Sequence, residues 1–144
     1  IIIERDGRPC RCGHRGCLEA YVSEDALLSE LNGKGAALGA DLDGLDPTNR
    51  TVQRVLRQAD YRLGFALSYL VNIMCPPLIV VNGPLMKFRA QVVPEIERGL
   101  EEGALPECLE RTRIAASTLD HASALGAAAR VLSDRFEVDG HVYV

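Results

Sequence analysis

Between Val52 and Val71, apolar side chains recur at steps of three and four: Val52, Val55, Leu56, Ala59, Leu63, Ala66, Leu67, Leu70 and Val71. That spacing is one face of an α-helix and predicts the longest helix of the chain. Asp46-Pro47 is the expected opening, since Asp can cap and Pro suits the first turn. Pro76-Pro77 closes it just after Cys75. Gly64 in its middle costs about 1 kcal/mol relative to Ala, which a close crossing by another element would justify.

The remaining pattern alternates between strand and helix. Ile1 to Ile3 reads as the end of a strand and Gly7 to Gly16 as loop. Cys17 to about Leu31 reads as helix, with Ser23 placed to cap a second piece. Asn32 to Leu45 is rich in Gly, Ala and Asp and reads as an irregular insert. Leu78-Ile79-Val80-Val81 is a short, wholly apolar strand, of the kind buried on both faces in parallel sheets. A helix from about Leu85 to Glu102, a strand from Thr112 to Ser117 and an Ala-rich helix from Leu119 to Ser133 follow. Phe136 to Val144 alternates around Asp139-Gly140, as a small terminal hairpin or a docking tail. This order indicates an α/β domain with parallel strands.

Composition narrows the class. The chain has 144 residues, 47% of them hydrophobic, so it is about one domain with a real core. Aromatics make up 5% and Trp is absent, so the core must be aliphatic. A net charge of −4 argues against nucleic-acid binding by this segment. No apolar run is long enough to span a membrane. The start, Ile1-Ile2-Ile3-Glu4-Arg5, is no signal peptide and lacks Met, as expected of a fragment or processed chain. Cys75 and Cys108 sit apart and read as buried free thiols, and the cysteine usage as a whole favours a reducing, cytoplasmic compartment.

The chemistry concentrates in Cys10-Arg11-Cys12-Gly13-His14-Arg15-Gly16-Cys17-Leu18-Glu19. Three thiols within eight residues can fill three corners of a zinc tetrahedron, and the two glycines let the backbone turn them inward. The competing reading is a set of free or redox-active thiols. His14 is near enough to suggest a fourth ligand, but the loop is short and an exposed histidine is the simpler assignment. His121 and His141 have no companion ligands at metal spacing. Glu19 can accept hydrogen bonds from neighbouring sugar hydroxyls; read from the residues alone it is an acid complementing a helix's first turn. Asn82-Gly83-Pro84 is a strand-to-helix turn with one glycine, and the phosphate-cradling motifs GxGxxG and GxxxxGK[ST] are absent.

Gly7-Arg8-Pro9-Cys10 through Glu19 resembles the zinc loop of the ROK family (repressors, open reading frames and sugar kinases), whose pattern ends in CxCGxxGCxE. Leu63-Gly64, Leu70-Val71-Asn72-Ile73 with Pro76, the strand and turn from Leu78 to Leu85, and Leu125-Gly126-Ala127-Ala128-Ala129 resemble later family segments in the same order. The resemblance runs to about Leu132 and implies most of the second lobe of an actin-like (ribonuclease-H-type) fold, with a zinc loop at 7–19; within a single unit of 1–144, the insert at about 32–45 and the tail at about 135–144 are read from the residues themselves. It implies structural zinc on Cys10, Cys12 and Cys17, a ligating histidine just before Ile1, and a sugar contact at Glu19. The catalytic aspartate, the phosphate loop and any winged helix-turn-helix would lie earlier in the protein.

The turn bears on the branch. Family kinases carry a Gly-Gly-rich turn here for adenine nucleotide; Pro84 removes a donor and resembles the repressor branch. The expectation is therefore the sugar-sensing and oligomerising lobe of a transcriptional regulator, taking a hexose or amino-hexose, with DNA bound only through an N-terminal domain. The alternatives are a sugar kinase using ATP and magnesium, with Gly83 against the nucleotide, and a zinc-stabilised interaction domain with no ligand.

Overall fold

The computed structural model of the protein describes residues 1–36, 42, 44–83, 89–117, 119 and 121–136. The elements run α1 (Glu19–Val22), α2 (Glu24–Gly33), α3 (Arg50–Met74), β1 (Leu78–Val81), α4 (Arg89–Gly103), α5 (Pro106–Leu109), β2 (Arg113–Ala116) and α6 (Ala122–Phe136). Ser23 breaks the first helical stretch as expected: extended itself, it accepts a hydrogen bond from Ala26 N–H and caps α2. The opening of α3 differs from the expectation. Asp46 turns back on itself, its Oδ1 accepting from Thr48 N–H and Oγ1–H, and the cap is Asn49, which accepts from Thr51 N–H and Val52 N–H. An Asx turn competes with capping for the same side-chain oxygen, and here the turn takes Asp46.

α3 organises the molecule. Its first half buries Val52, Val55, Leu56 and Ala59 against Leu27, Leu28 and Leu31 of α2, with Leu42 and Leu45 completing the cluster. Two leucines of the stretch expected to be an irregular insert are thus core residues. The second half crosses α4. There Gly64 admits the backbone of α4 so closely that an added Cβ would lie 2.0 Å from Ile96 O, and Gly99 returns the arrangement 2.1 Å from Tyr61 O. The predicted close crossing at Gly64 is the feature that holds the two helices together.

α3 ends at Met74, with Cys75 in a left-handed conformation at φ 45°. That turn brings Cys75 beside α5. Cys75 and Cys108, expected as separate buried thiols, are both half-buried and joined as a disulfide with Cα atoms 5.0 Å apart. β1 and β2 pair in parallel, Leu78 opposite Arg113 and Val81 opposite Ala116. Val92 and Ile96 of α4 cover Val81, Ile114 and Ala116. A strand buried on both faces was expected, but Leu78 and Val80 remain exposed, because α4 covers one face only. The chain from Leu85 to Lys87, Pro84 and the tail from 137 onward, His141 included, lie outside the described residues. His121 is an exposed residue at φ 54° just before α6, whose Leu125, Val131 and Leu132 are also exposed.

Candidate metal centre and adjoining depression

The segment before α1 has little apolar material to bury, and backbone hydrogen bonds shape it instead. Ile3 N–H and Glu4 N–H donate to Gly16 O, Gly16 N–H donates to Arg8 O at 2.7 Å, and Leu18 N–H donates to Ile1 O. Within that frame Cys10 N–H donates to His14 O and Gly13 N–H to Cys10 O, closing the tip. Gly16 sits at φ 69°, and a Cβ there would fall 1.5 Å from Glu4 O, so only glycine lets the chain pass.

This tip brings the sulfurs of Cys10, Cys12 and Cys17 within 4.8 Å of one another. Cys12 Sγ and Cys17 Sγ are 3.6 Å apart. Two thiolates on one tetrahedral zinc, each about 2.3 Å from the metal, lie about 3.8 Å apart, so the loop is close to ligating geometry. The donor set is soft and thiolate-rich, which fits zinc or another thiophilic ion as three of its ligands. Hydrogen bonds from His14, the backbone one foremost, lower the Cys12 thiol to about 6. Cys17 is pushed up to about 11, first because its thiol is hydrogen-bonded to Cys12 and next because it is buried. A metal ion bound there would take the cysteines as thiolates and displace their protons. His14 is exposed, with Nδ1 3.4 Å from Cys12 Sγ, and it is not one of the three mutually close ligand groups.

Glu19 opens α1, two residues after Cys17, and forms an exposed ion pair with Arg11. Both line a depression of about 510 Å3 whose wall also carries Arg8, Ser23, Asp25 and Glu30. The structure therefore brings Cys10 and Glu19 to one rim. Gly83 is placed elsewhere, at φ 141° after β1, where a Cβ would meet open space; neighbouring Asn82 donates to Leu119 O at 3.1 Å.

Tyr21 was not singled out by sequence reasoning, yet it braces the loop. It is 3% exposed. Its hydroxyl accepts from Arg8 N–H at 2.9 Å and donates to Glu4 Oε2 at 2.6 Å. The guanidiniums of Arg8 and Arg62 stack on its ring, at 4.8 and 4.6 Å from the centroid. Arg8 also pairs with Glu30 of α2 at 2.6 Å, which ties the loop to the helical body. The available signal was a lone aromatic, in a chain poor in them, one helical step past the cysteine motif.

The sequence profile of the ROK family matches residues 1–134. The chain is 27% identical over 135 residues to a glucokinase of Halalkalibacterium halodurans, covering 82% of this chain and 41% of that protein. It is 27% identical over 141 residues to the xylose repressor of Bacillus spizizenii, covering 96% of this chain and 37% of the repressor. Among solved structures, a ROK family transcriptional regulator described as a homolog of the Escherichia coli MLC protein superposes with a TM-score of 0.77 at 22% identity, over 90% of this chain and 36% of that one. The chain thus spans about two fifths of the length of these relatives, and its fold is that of a lobe of the actin-like sugar kinase architecture.

Proposed function

The chain belongs to the ROK family, and from that premise we propose that it is the sugar-sensing and oligomerising lobe of a transcriptional regulator whose effector is a hexose or amino-hexose. One observation carries the reading: the loop that gathers Cys10, Cys12 and Cys17 also presents Glu19 at the rim of a depression of about 510 Å3. In this reading Cys10, Cys12 and Cys17 hold a structural zinc, with a histidine upstream of Ile1 as fourth ligand. The metal fixes the loop, and the loop fixes Glu19. The exposed Arg11–Glu19 ion pair is worth little in water, so a sugar's paired hydroxyls can displace it at small cost. DNA contact belongs to a domain outside this chain and the assembly is a homo-oligomer; the compartment is the cytoplasm on the family likeness alone, since Cys75 and Cys108 are joined rather than free.

A second reading, a sugar kinase using ATP and magnesium with Gly83 beside the nucleotide, is favoured by the likeness to the glucokinase. Against it stands Pro84, which follows Gly83 and has no N–H to offer a phosphate. Calorimetry of the full-length protein with a panel of hexoses and amino-hexoses, beside an ATP-coupled kinase assay, separates the two. Sugar binding without turnover is the expected outcome. Glu19→Gln should lose about 1.5–3 kcal/mol of sugar affinity through a missing charged acceptor. Robust ATP-dependent turnover would establish the kinase, and a protein that binds no sugar would be an interaction domain.

A further inference from the structure

We infer that a second depression, where the first half of α3 faces α4, is an anion site for a phosphate group carried by a small molecule. Arg50, Arg54 and Arg57 follow one another at i, i+4 and i+7 along α3, and Arg98 of α4 joins them. With Gln53, Gln58 and Glu95 they line a concavity of about 690 Å3 that shares no residue with the depression beside Glu19. All four arginines are exposed.

The charges stand where folding alone would not put them. The chain carries a net −4, yet Arg50, Arg54 and Arg57 have no carboxylate partner among the described residues. Like charges four apart on a helix repel, and cations at a helix's first turns oppose its dipole. No acid occupies the first turn of α3 to offset them. A local rule broken without compensation inside the fold is the mark of a group kept for something outside it. Arg98, by contrast, is already aimed: it pairs with Glu95 at 2.8 Å and stacks on the Tyr61 ring at 4.6 Å.

Residue type and shape select the ligand. The cations are all arginine, whose planar forks match phosphate oxygens two at a time. Gln58 adds a neutral donor; Gln53, its amide N–H donating to Pro47 O at 2.9 Å, accepts from Arg57 Nη2 at 3.3 Å and so holds that arginine in place. The concavity is of small-ligand size, within the roughly 300–1,000 Å3 usual for such sites. Glu95 on its wall and the acidic chain around it oppose an extended polyanion such as duplex DNA. A phosphate monoester brings its charge to one point and avoids both.

The test titrates the full-length protein at low salt with inorganic phosphate, glucose 6-phosphate, AMP and unphosphorylated glucose. Saturable binding of the phosphate compounds is expected, weakened about tenfold or more in the double variant Arg54→Gln/Arg57→Gln. Arg54→Lys/Arg57→Lys should fall between the two. Glucose binding should not move, because these side chains are exposed and share no depression with Glu19, and the unfolding midpoint should hold or rise slightly as the repulsion along α3 is relieved. Equal affinity for inorganic phosphate and the two esters would mean that the site reads phosphate alone; preference for one ester would identify the carrier. The inference is overturned if no phosphate compound binds saturably, if the double variant binds them unchanged, or if the variants weaken only duplex DNA binding that the small phosphates do not compete away.

Discussion

The cysteine loop and the crossing of α3 with α4 both depend on glycine, for opposite reasons. In the loop, Gly16 supplies a left-handed backbone and leaves room for Glu4 O, inside a frame of individual hydrogen bonds. In the crossing, Gly64 and Gly99 are ordinary helical residues that let two backbones touch, and the gain comes from the apolar contact this allows around Val92, Ile96 and Leu100. Directional bonds hold the first region and non-directional burial the second. Damage to the crossing should therefore be felt by the whole fold, whereas damage to the loop should remove the site and leave the helices standing.

The largest expected effect comes from breaking the crossing. In Gly64→Val the added carbons would meet the Ile96 backbone, which has no flexible end to swing aside. A loss of about 4 kcal/mol or more is expected, at the diagnostic end of single-residue effects, with helical circular dichroism lost at ordinary temperature. Gly16→Ala should instead abolish metal binding while the helical signal remains. If both variants kept their helices and their melting midpoints, the contrast would collapse.

Next in size is a pH effect inside α3. Asp60 is 1% exposed, and neither carboxylate oxygen has a hydrogen-bond partner among the described residues. Burial, and then the charge of Glu95, push it up to about 7. The folded state thus holds the proton more tightly than the unfolded chain, whose aspartate titrates near 4. Stability should fall as pH rises from about 4 to 7 and stay low above, by up to about 4 kcal/mol in total. Asp60→Asn cannot ionise and should lose that slope. Denaturant midpoints at pH 5 and pH 8 check it: the variant should gain on the wild type mainly at pH 8, and an equal difference at both would refute the assignment.

The same contrast explains what could be read from the sequence. Burial leaves a mark in the sequence: α3 was legible from the spacing of its apolar residues, β1 from an unbroken apolar run, and the closeness at Gly64 from a glycine that a helix interior would otherwise disfavour. That the three cysteines would come together was legible from their spacing around two glycines, and the structure brings their sulfurs within 4.8 Å of one another. What escaped was held by single polar choices. Asp46 and Asn49 are both good caps, and only the Asx turn at Asp46 decides between them. Cys75 and Cys108 stand 33 residues apart and carry no local sign that a left-handed turn will bring them together. Leu42 and Leu45 join the core from a stretch with no period at all. Tyr21 acts through a hydroxyl and two guanidiniums that sequence spacing does not connect.

Metal removal sharpens the contrast at a smaller scale. Zinc in the full-length protein should be measurable by elemental analysis and should disappear in Cys12→Ser. Chelation should speed amide exchange through residues 1–22 and alkylation of the three loop thiols, while exchange in α3 and α4 stays slow. A protein free of zinc, with thiols alkylated at full rate from the start, would remove the metal from this account.

The smallest and most discriminating change is Tyr21→Phe. The ring stays buried and keeps its stacking with Arg8 and Arg62, so the packing is conserved. What goes is one oxygen, and with it the bonds to Arg8 N–H and Glu4 Oε2. Arg8 N–H is then left without this acceptor, and removing one partner of such a bond costs about 1–2 kcal/mol. Because Gly16 N–H in turn donates to Arg8 O, that loss falls on the strand pairing that carries Cys17. The expected signature is split: an unfolding midpoint lowered far less than in Gly64→Val, with faster metal loss to a chelator and faster exchange at residues 7–17. If instead the midpoint fell as far as in Gly64→Val while metal release was unchanged, Tyr21 would belong to the core, and the division between a bonded loop and a packed crossing would have to be redrawn around it.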